Sequence, residues 1–269
     1  MARSAGLRTG VRRGGTSEHG LRVGHDQGTG ARPAAAGGWT AGAYMPRRAV
    51  LVWILGIAGL VGYNWWLLVP LKPGLMTSPD ELFSNLEVSG QPYAALMQHA
   101  DLVSGLLLLA AFWAAGHSSV AGRREWLSML GFGLAAAMGG LFPEVCADGV
   151  NAVCRRQEYR LQLPASQYIH VVAGILEFAA LTLALRYAVR RTRHQHNRVA
   201  TSYRVLAGAA LVAYPLLGAA YLFDRFGGIM EAVFFAGFTV MVVAQLADRT
   251  AAARAAPGPA ATIRHYSRV

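Results

Sequence analysis

Six long apolar stretches run through the chain, separated by shorter polar or charged segments. Each has 17 to 23 residues, close to the roughly 20 that an α-helix needs to cross about 30 Å of hydrocarbon. None shows the alternation of period two that is typical of membrane β-barrel strands. The pattern therefore predicts an all-α, polytopic transmembrane bundle of six helices, over residues 49–71, 100–116, 126–142, 168–189, 205–223 and 229–246.

Two of these stretches, 100–116 and 126–142, are marginal in length at 17 residues each. The first can gain a turn from residues 94–98, and the second can gain length from the Arg-Glu pair that precedes it. We therefore expect both to form spanning helices that begin before their apolar runs.

Positively charged residues near the ends of the stretches fall mostly in alternate connections. On one side of the predicted membrane, only Glu125 and Asp248 oppose a set of eleven arginines: Arg47, Arg48, Arg123, Arg124, Arg190, Arg191, Arg193, Arg198, Arg204, Arg249 and Arg254. On the other side, Lys72 and four arginines, Arg155, Arg156, Arg160 and Arg225, face seven acids: Asp80, Glu81, Glu87, Glu144, Asp148, Glu158 and Asp224. Because cytoplasmic loops are enriched in Lys and Arg, both termini are predicted to be cytoplasmic.

The net charge of +11 follows mainly from this bias and from a basic tail, so it gives no argument for nucleic-acid binding. The partners we expect are the lipid bilayer and anionic lipids at its cytoplasmic face, and no nucleic acid. The sequence leaves the oligomeric state open.

The composition divides the chain into three parts. Residues 1–46 form a basic tail rich in Gly, Arg and Ala, which buries too little apolar surface to offset the entropy of ordering it, so we predict disorder. Within it, we interpret residues 1–44 as an upstream extension, because Met45-Pro-Arg-Arg before an apolar run is typical of the start of a membrane protein. The transmembrane domain is predicted over 47–248 and a second disordered, cytoplasmic tail over 249–269.

Both cysteines of the chain, Cys146 and Cys154, lie in the loop between the third and fourth predicted helices. The topology places this loop on the oxidising side, so we favour a disulfide, which would stabilise the fold by about 2 to 3 kcal/mol. A metal site is the weaker alternative, since no C-x-x-C or neighbouring histidine completes a tetrahedral set. The bridge would hold Glu144 and Asp148 over the mouth of the bundle.

Polar residues inside the apolar stretches predict a cluster under the outer leaflet. Ionisable side chains in spanning helices almost always face the bundle interior, a partner or a water-filled cavity. The predicted members are Asp101, Ser104, Glu144, His170, Glu177 and Glu231. We expect His170 and Asp101 to meet beneath the outer loop and Glu177 to point into the bundle.

The aromatic residues Tyr63, Trp65, Trp66, Trp126 and Tyr168 are expected in the interfacial belts. The glycines of the first and third predicted helices, and residues 208–210 of the fifth, are expected to allow close helix packing.

Three segments also carry a family resemblance: Leu82-Phe-Ser-Asn-Leu-Glu-Val-Ser-Gly-Gln-Pro-Tyr, Ala100-Asp-Leu-Val-Ser-Gly and Phe142-Pro-Glu-Val-Cys. With a histidine one turn into the next helix, they resemble the bacterial domain of unknown function 998 family of six-helix membrane proteins, over about residues 48–248. The resemblance implies a multi-pass protein of the bacterial plasma (inner) membrane, without implying an activity.

That family is in turn thought to be distantly similar to membrane metal hydrolases such as alkaline ceramidases and progestin-type receptors. This similarity implies Asp101, Ser104 and His170 as catalytic candidates. However, Glu231 is the only ionisable residue of the last stretch, so a three-histidine zinc site cannot be assembled there. We expect no metal and no cofactor, with zinc as the alternative.

The function we favour is a binding, scaffolding or envelope-maintenance role, with an enzyme left open but disfavoured. The polar residues then serve as hydrogen-bonding groups that fix helix register. Two alternatives stay open: a proton- or cation-coupled small transporter or channel that uses the buried acids, and a metal-dependent hydrolase of a lipid amide or ester.

The orientation is testable by labelling. A cysteine introduced in the loop over 143–166 should react with a membrane-impermeant thiol reagent added outside, and one introduced in the loop over 190–204 should not. A cysteine introduced at Gln195 should therefore be labelled after the membrane is permeabilised and not before. Labelling of that cysteine in intact cells would invert the proposed orientation.

Overall fold

Seven α-helices and two 3₁₀ helices make up the part of the chain that the computed structural model describes, residues 47–72, 75–76, 78, 80–117, 120–147, 151–223 and 225–255. The α-helices are α1 (Arg47–Tyr63), α2 (Ala94–Ala115), α3 (Val120–Leu141), α4 (Ala152–Tyr159), α5 (Ala165–Arg191), α6 (Arg198–Phe223) and α7 (Gly227–Ala255). The 3₁₀ helices are Trp65–Leu71 and Phe83–Glu87. No strand occurs among these residues, so the predicted all-α class is confirmed.

Four helices, α2, α5, α6 and α7, are long and apolar enough to cross a membrane. A fifth span results if α1 and the 3₁₀ helix after it are counted together. These four or five helices indicate a multi-pass membrane protein. Among the described helices of similar length, α3 does not reach this apolarity, because its sequence combines Arg123, Arg124 and Glu125 with many small residues.

The first apolar stretch, predicted as one helix over 49–71, is broken. Helix α1 ends at Tyr63, and the chain turns by 40° into the 3₁₀ helix. At the break, the Asn64 side chain donates to the Leu60 carbonyl over 2.8 Å and to Thr239 Oγ1 over 2.9 Å. Asparagine side chains compete in this way with helical backbone hydrogen bonds, and Pro70 further on lacks an N–H donor.

Other boundaries differ from the predicted ones for local reasons. Helix α2 begins at Ala94, which confirms the extra turn expected there. Helix α4 lies in a loop where no helix was predicted, and Asn151 caps it by accepting from the backbone N–H groups of Val153 and Cys154. Helix α7 continues to Ala255, so the first residues of the predicted 249–269 tail are helical. The predicted tail over 1–46 lies outside the described residues.

Helix α3 occupies the centre of the packing, with its most extensive contacts to α2 and α5. Helix α1 packs on α2, and α7 contacts α1, α2 and α6. The starts of α1, α3 and α6 and the ends of α2, α5 and α7 form one end of the bundle, which we call the basic end; the opposite end is called the acidic end. The core between them is apolar, and Leu108, Phe112, Phe132 and Phe238 are each 0% exposed.

Glycines allow the backbones of α2 and α3 to touch. A Cβ atom added at Gly105 would lie 2.3 Å from the backbone nitrogen of Ala137, and one added at Gly140 would lie 2.3 Å from that of Leu102. The predicted role of small residues in helix packing is therefore confirmed for this pair of helices. The same prediction is wrong for Gly208 of α6, where an added Cβ atom would meet nothing within 4 Å.

Gly105→Ala should destabilise the protein, because two backbones rather than a flexible side chain must separate to admit the methyl group. Overpacking of this kind costs about 1 to 3 kcal/mol, which thermal unfolding in detergent can detect. Gly208→Ala is the matched control and should be neutral or mildly stabilising. Equal melting temperatures for the two variants would show that α2 and α3 do not pack this closely.

Candidate functional site

Five acidic side chains gather at the acidic end of the bundle. They come from five different places: the second 3₁₀ helix, α2, the loop after α3, α5 and α7. We call Glu87, Asp101, Glu144, Glu177 and Glu231 the carboxyl cluster. Among the described residues, no ion pair joins Glu87, Asp101, Glu177 or Glu231 to a lysine or arginine. Four of the five were predicted members of the polar cluster; Glu87 was not.

Glu87 and Asp101 form a hydrogen bond between two carboxyl groups. Glu87 is only 3% exposed, because Phe83 and Leu86 of the same 3₁₀ helix pack into a small apolar core. Burial raises the pKa of Glu87 well above its usual range, and the neighbouring Asp101 raises it further. A hydrogen bond between two carboxyl groups requires a proton on one of them. Glu87 Oε2 has no hydrogen-bond partner among the described residues.

Asp101 also accepts a hydrogen bond from Trp65. The Trp65 indole Nε1 donates to Asp101 Oδ1 over 2.8 Å, and the ring is only 8% exposed. Trp65 was expected in an interfacial belt; in the structure, the bend after α1 turns its ring towards α2, where it is buried. One carboxyl group thus joins the first 3₁₀ helix, α2 and the second 3₁₀ helix.

Glu231 of α7 fixes the start of the second 3₁₀ helix. Its carboxyl group accepts from the backbone N–H of Phe83 over 2.5 Å and from that of Ser84. These are N–H groups at the start of a helix, which have no partner within the helix itself. The segment is therefore held from both ends, by Glu231 at Phe83 and by Asp101 at Glu87.

The other end of the same loop is tied to the loop after α3. The Ser89 backbone N–H donates to the Glu144 carbonyl over 3.1 Å, and the Gln98 side chain donates to the Glu87 carbonyl. Near the start of α7, the Phe226 N–H donates to Asp80 Oδ1 over 2.7 Å. The described residues of 80–93, which we call the cap, therefore lie over the carboxyl cluster.

His170 pairs with Glu144 rather than with Asp101. The distance from His170 Nε2 to Glu144 Oε1 is 3.6 Å, and His170 Nδ1 lies 3.1 Å from the carbonyl oxygens of Gly139 and Phe142 at the end of α3. The predicted meeting of His170 and Asp101 is therefore not found, because each side chain has its own partners. His170 connects α5 to α3, and Asp101 connects α2 to the cap.

Glu177 lies deeper along α5 and points into the bundle, as predicted. Its carboxylate accepts a hydrogen bond from the Tyr63 hydroxyl at the end of α1. Tyr63 is 3% exposed, so it is also buried within the bundle. Ser104 is 1% exposed and packs on α1, since a Cβ atom added at Gly62 would lie 2.3 Å from its Oγ.

A disulfide bond closes the loop after α3, as predicted. Cys146 and Cys154 form a disulfide with their Cα atoms 6.1 Å apart. Beneath it, Gln167 is 0% exposed and accepts from the backbone N–H of Val145 over 2.9 Å. Asp148, which was expected beside Glu144, lies outside the described residues.

The catalytic candidates Asp101, Ser104 and His170 do not converge on one point. Asp101 contacts Trp65 and Glu87, Ser104 contacts α1, and His170 contacts the end of α3. Among the described residues, no group of three or more His, Cys, Asp or Glu side chains is arranged to hold a metal ion.

The basic end contains a network that the sequence analysis counted only as loop charge. Glu125 is 0% exposed and receives two hydrogen bonds from Arg191, from Nε over 2.7 Å and from Nη2 over 3.0 Å. Arg191 also reaches Asp248 over 2.5 Å, and the Gln245 amide donates to Glu125 over 2.5 Å. Arg249 bonds to Gln245 over 3.2 Å. We call these five residues the ion-pair network.

An apolar layer separates the two polar regions. The Tyr63 ring packs against Phe235 and Phe238, with ring centroids 5.3 and 5.0 Å apart, and Phe132 stacks on Phe238 at 4.2 Å. Met241 lies in the same core at 1% exposure. In the described part of the chain, the carboxyl cluster thus ends at Tyr63 and Glu177 without a polar continuation to the ion-pair network.

The residues missed by the sequence analysis had weak signals. Glu87 stands in a loop whose apolar residues Phe83, Leu86 and Val88 indicate burial of the acid between them. Glu125 and Arg191 stand at the ends of apolar helices, where solvated charges are common. Their pairing depends on which helices are neighbours, and that information is absent from a single sequence.

The helices and the buried polar groups together define a multi-pass membrane protein with an internal acidic cluster. The family model described as protein of unknown function (DUF998) matches residues 56–248, and the chain belongs to this family. No curated protein matches the chain, and no solved structure matches it. The distant similarity to alkaline ceramidases and progestin-type receptors is not supported.

A double-mutant cycle can test the pairing of the carboxyl groups. Glu87→Ala and Asp101→Ala should have strongly non-additive effects on the melting temperature, because each removes the same hydrogen bond. His170→Ala and Asp101→Ala should be additive within about 0.5 kcal/mol, because the two residues have separate partners. The opposite pattern would place Asp101 against His170 and would refute the arrangement described above.

Proposed function

We propose that the protein crosses a bacterial plasma membrane six times, with both termini in the cytoplasm, and that the carboxyl cluster binds protons at the outer face. The proposed role is one of binding and sensing rather than catalysis or conduction. The observation that carries it is the hydrogen bond between the carboxyl groups of Glu87 and Asp101. Such a pair retains one proton over a range in which an isolated carboxyl group is ionised.

The surroundings of Glu87 support proton binding. The charged groups that act on it most strongly are acids from three elements: Asp101 of α2, Glu144 after α3 and Glu231 of α7. Like charges at short range cannot all be ionised in a medium of low dielectric constant, so a proton is the simplest neutralising group. Other titratable groups at the acidic end of the bundle are Tyr63, Glu177 and His170.

Proton uptake would change how the cap is attached to the bundle. Its 3₁₀ helix is attached to α2 through the Glu87–Asp101 hydrogen bond, which exists only while the pair holds a proton. Loss of the proton puts two negative charges side by side and weakens this attachment. Protonation outside the membrane would thereby control how firmly the cap is held on the bundle.

The apolar layer favours sensing over transport. A proton pathway needs polar groups or water along its length, whereas Phe132, Phe238 and Met241 fill the described core below Tyr63. A proton- or cation-coupled transporter remains the second candidate, and Glu177 would be its deepest acceptor. Proton flux in proteoliposomes that is lost in Glu177→Gln would favour the transporter.

The proposal predicts a pH-dependent stability with a definite sign. The pKa of Glu87 is raised above its ordinary value of 4.5, so the folded state holds a proton that the unfolded chain loses. This stabilisation is complete below that ordinary value and is lost as the pH rises through the raised pKa, with a slope of about 1.4 kcal/mol per pH unit for one proton. Glu87→Gln should flatten the dependence of melting temperature on pH.

Infrared difference spectroscopy reports the proton directly. The carbonyl-stretch band of protonated carboxyl groups should shrink in the wild-type protein in nanodiscs as the pH is raised, and the part of that band that comes from the Glu87–Asp101 pair should be missing in Glu87→Gln. Asp248→Asn is the matched control, since Asp248 forms a salt bridge with Arg191 and lies outside the carboxyl cluster. An unchanged band in Glu87→Gln would remove the basis of the proposal.

A further inference from the structure

The region of α4 exposes large apolar side chains outside the candidate spans. Val153, Tyr159 and Leu161 are 55%, 71% and 77% exposed. On α5 or α6, such exposure is accounted for by surrounding lipid, but α4 has only eight residues and belongs to a loop. Three large apolar side chains exposed within one short loop segment indicate an interaction surface.

The backbone at Leu161 is strained in a way that maintains this exposure. Leu161 has φ 56°, in the left-handed region that costs a non-glycine residue about 1 to 2 kcal/mol. The conformation ends α4, with the Leu161 N–H donating to the Glu158 carbonyl and the Gln162 N–H to the Gln157 carbonyl, each over 2.9 Å. Glycine would relieve the strain, but it would also remove the exposed apolar side chain.

The same surface is basic. Arg155 and Arg156 lie in α4 and Arg160 follows it, while Glu158 is the one acid in the sequence of α4. These arginines stand in a connection that is otherwise expected to be acidic. A patch that mixes arginine with tyrosine and aliphatic groups matches the anionic headgroup region of a bilayer in both charge and polarity.

The connections of α4 place it beside a helix end. The Tyr168 hydroxyl accepts from the Leu163 N–H over 3.1 Å and donates to the Glu158 carbonyl over 3.4 Å, so the end of α4 rests on the first turn of α5. The 27 residues of α5 extend about 40 Å, longer than the roughly 30 Å of hydrocarbon, so that first turn reaches the headgroup level. The disulfide between Cys154 and Cys146 attaches the start of α4 to the loop after α3.

We propose that α4 and Leu161 form an interfacial anchor on the outer leaflet. Val153, Tyr159 and Leu161 enter the boundary between headgroups and acyl chains, and the arginines bind the phosphates of anionic phospholipids. This site is separate from the carboxyl cluster and does not depend on proton binding there. Its ligand is the membrane in which the protein itself resides.

Photo-crosslinking tests the anchor. The photoreactive residue benzoylphenylalanine replaces Tyr159 in the full chain, which is reconstituted in nanodiscs of phosphatidylcholine with phosphatidylglycerol. Irradiation should give lipid adducts at a yield several-fold higher than from the same residue at Gln91 in the cap, and the adducts should be enriched in phosphatidylglycerol. Leu211, which is 79% exposed on α6, is the positive control for lipid contact.

A second variant separates charge from apolar contact. Replacement of Arg155, Arg156 and Arg160 by Gln should abolish the enrichment for phosphatidylglycerol at Tyr159, while melting temperature stays within a few degrees of the parent. Absence of lipid adducts at Tyr159 while Leu211 reacts would overturn the proposal. Adducts to a soluble acidic protein added in place of anionic lipid, with none to lipid, would also overturn it and would identify an aqueous partner surface.

Discussion

A carboxyl group inside a bundle that is surrounded by hydrocarbon has to be neutralised, and the two ends of this molecule do so by different means. At the basic end, Glu125 is enclosed by Arg191, Gln245 and Arg249, so opposite charge and hydrogen bonds compensate for its loss of water. At the acidic end, Glu87 meets Asp101, and no basic side chain among the described residues pairs with either. In the proposed function, a bound proton takes the place of the missing cation, and this would make the acidic end sensitive to the pH of the medium.

The arrangement of the cap follows from the same constraint. A loop over the mouth of the bundle must satisfy its own backbone groups, and here the buried acids act as its acceptors. Glu231 accepts from Phe83 and Ser84, while Asp101 holds Glu87. The cap is therefore attached by groups that can change their charge, whereas a loop attached by apolar contacts alone would not respond to protons.

The apolar helices were predictable because length and composition suffice to recognise them. The disulfide was predictable too, since the chain has only two cysteines and they share one loop. The break at Asn64 was not, because it depends on Thr239 from a distant helix. For the same reason, membership of the polar cluster was mostly predicted while its pairing was not. Periodicity indicates which face of a helix is polar, and tertiary packing decides that His170 meets Glu144 and that Asp101 meets Glu87.

The central position of α3 bears on how the protein is made. Its interior-facing side carries small residues such as Ala136 and Gly140, and its first turns carry three charged side chains. Transfer of such a helix into lipid alone is only weakly favourable. Its contacts with α2 and α5 stabilise it in the finished bundle. In the proposed topology, α3 would enter the bilayer poorly as a single segment during synthesis, and it would need to be inserted together with α2 as a hairpin. The glycine contacts that pack the finished bundle would thus already be required at the ribosome-bound stage, when α2 is the only close neighbour that α3 has.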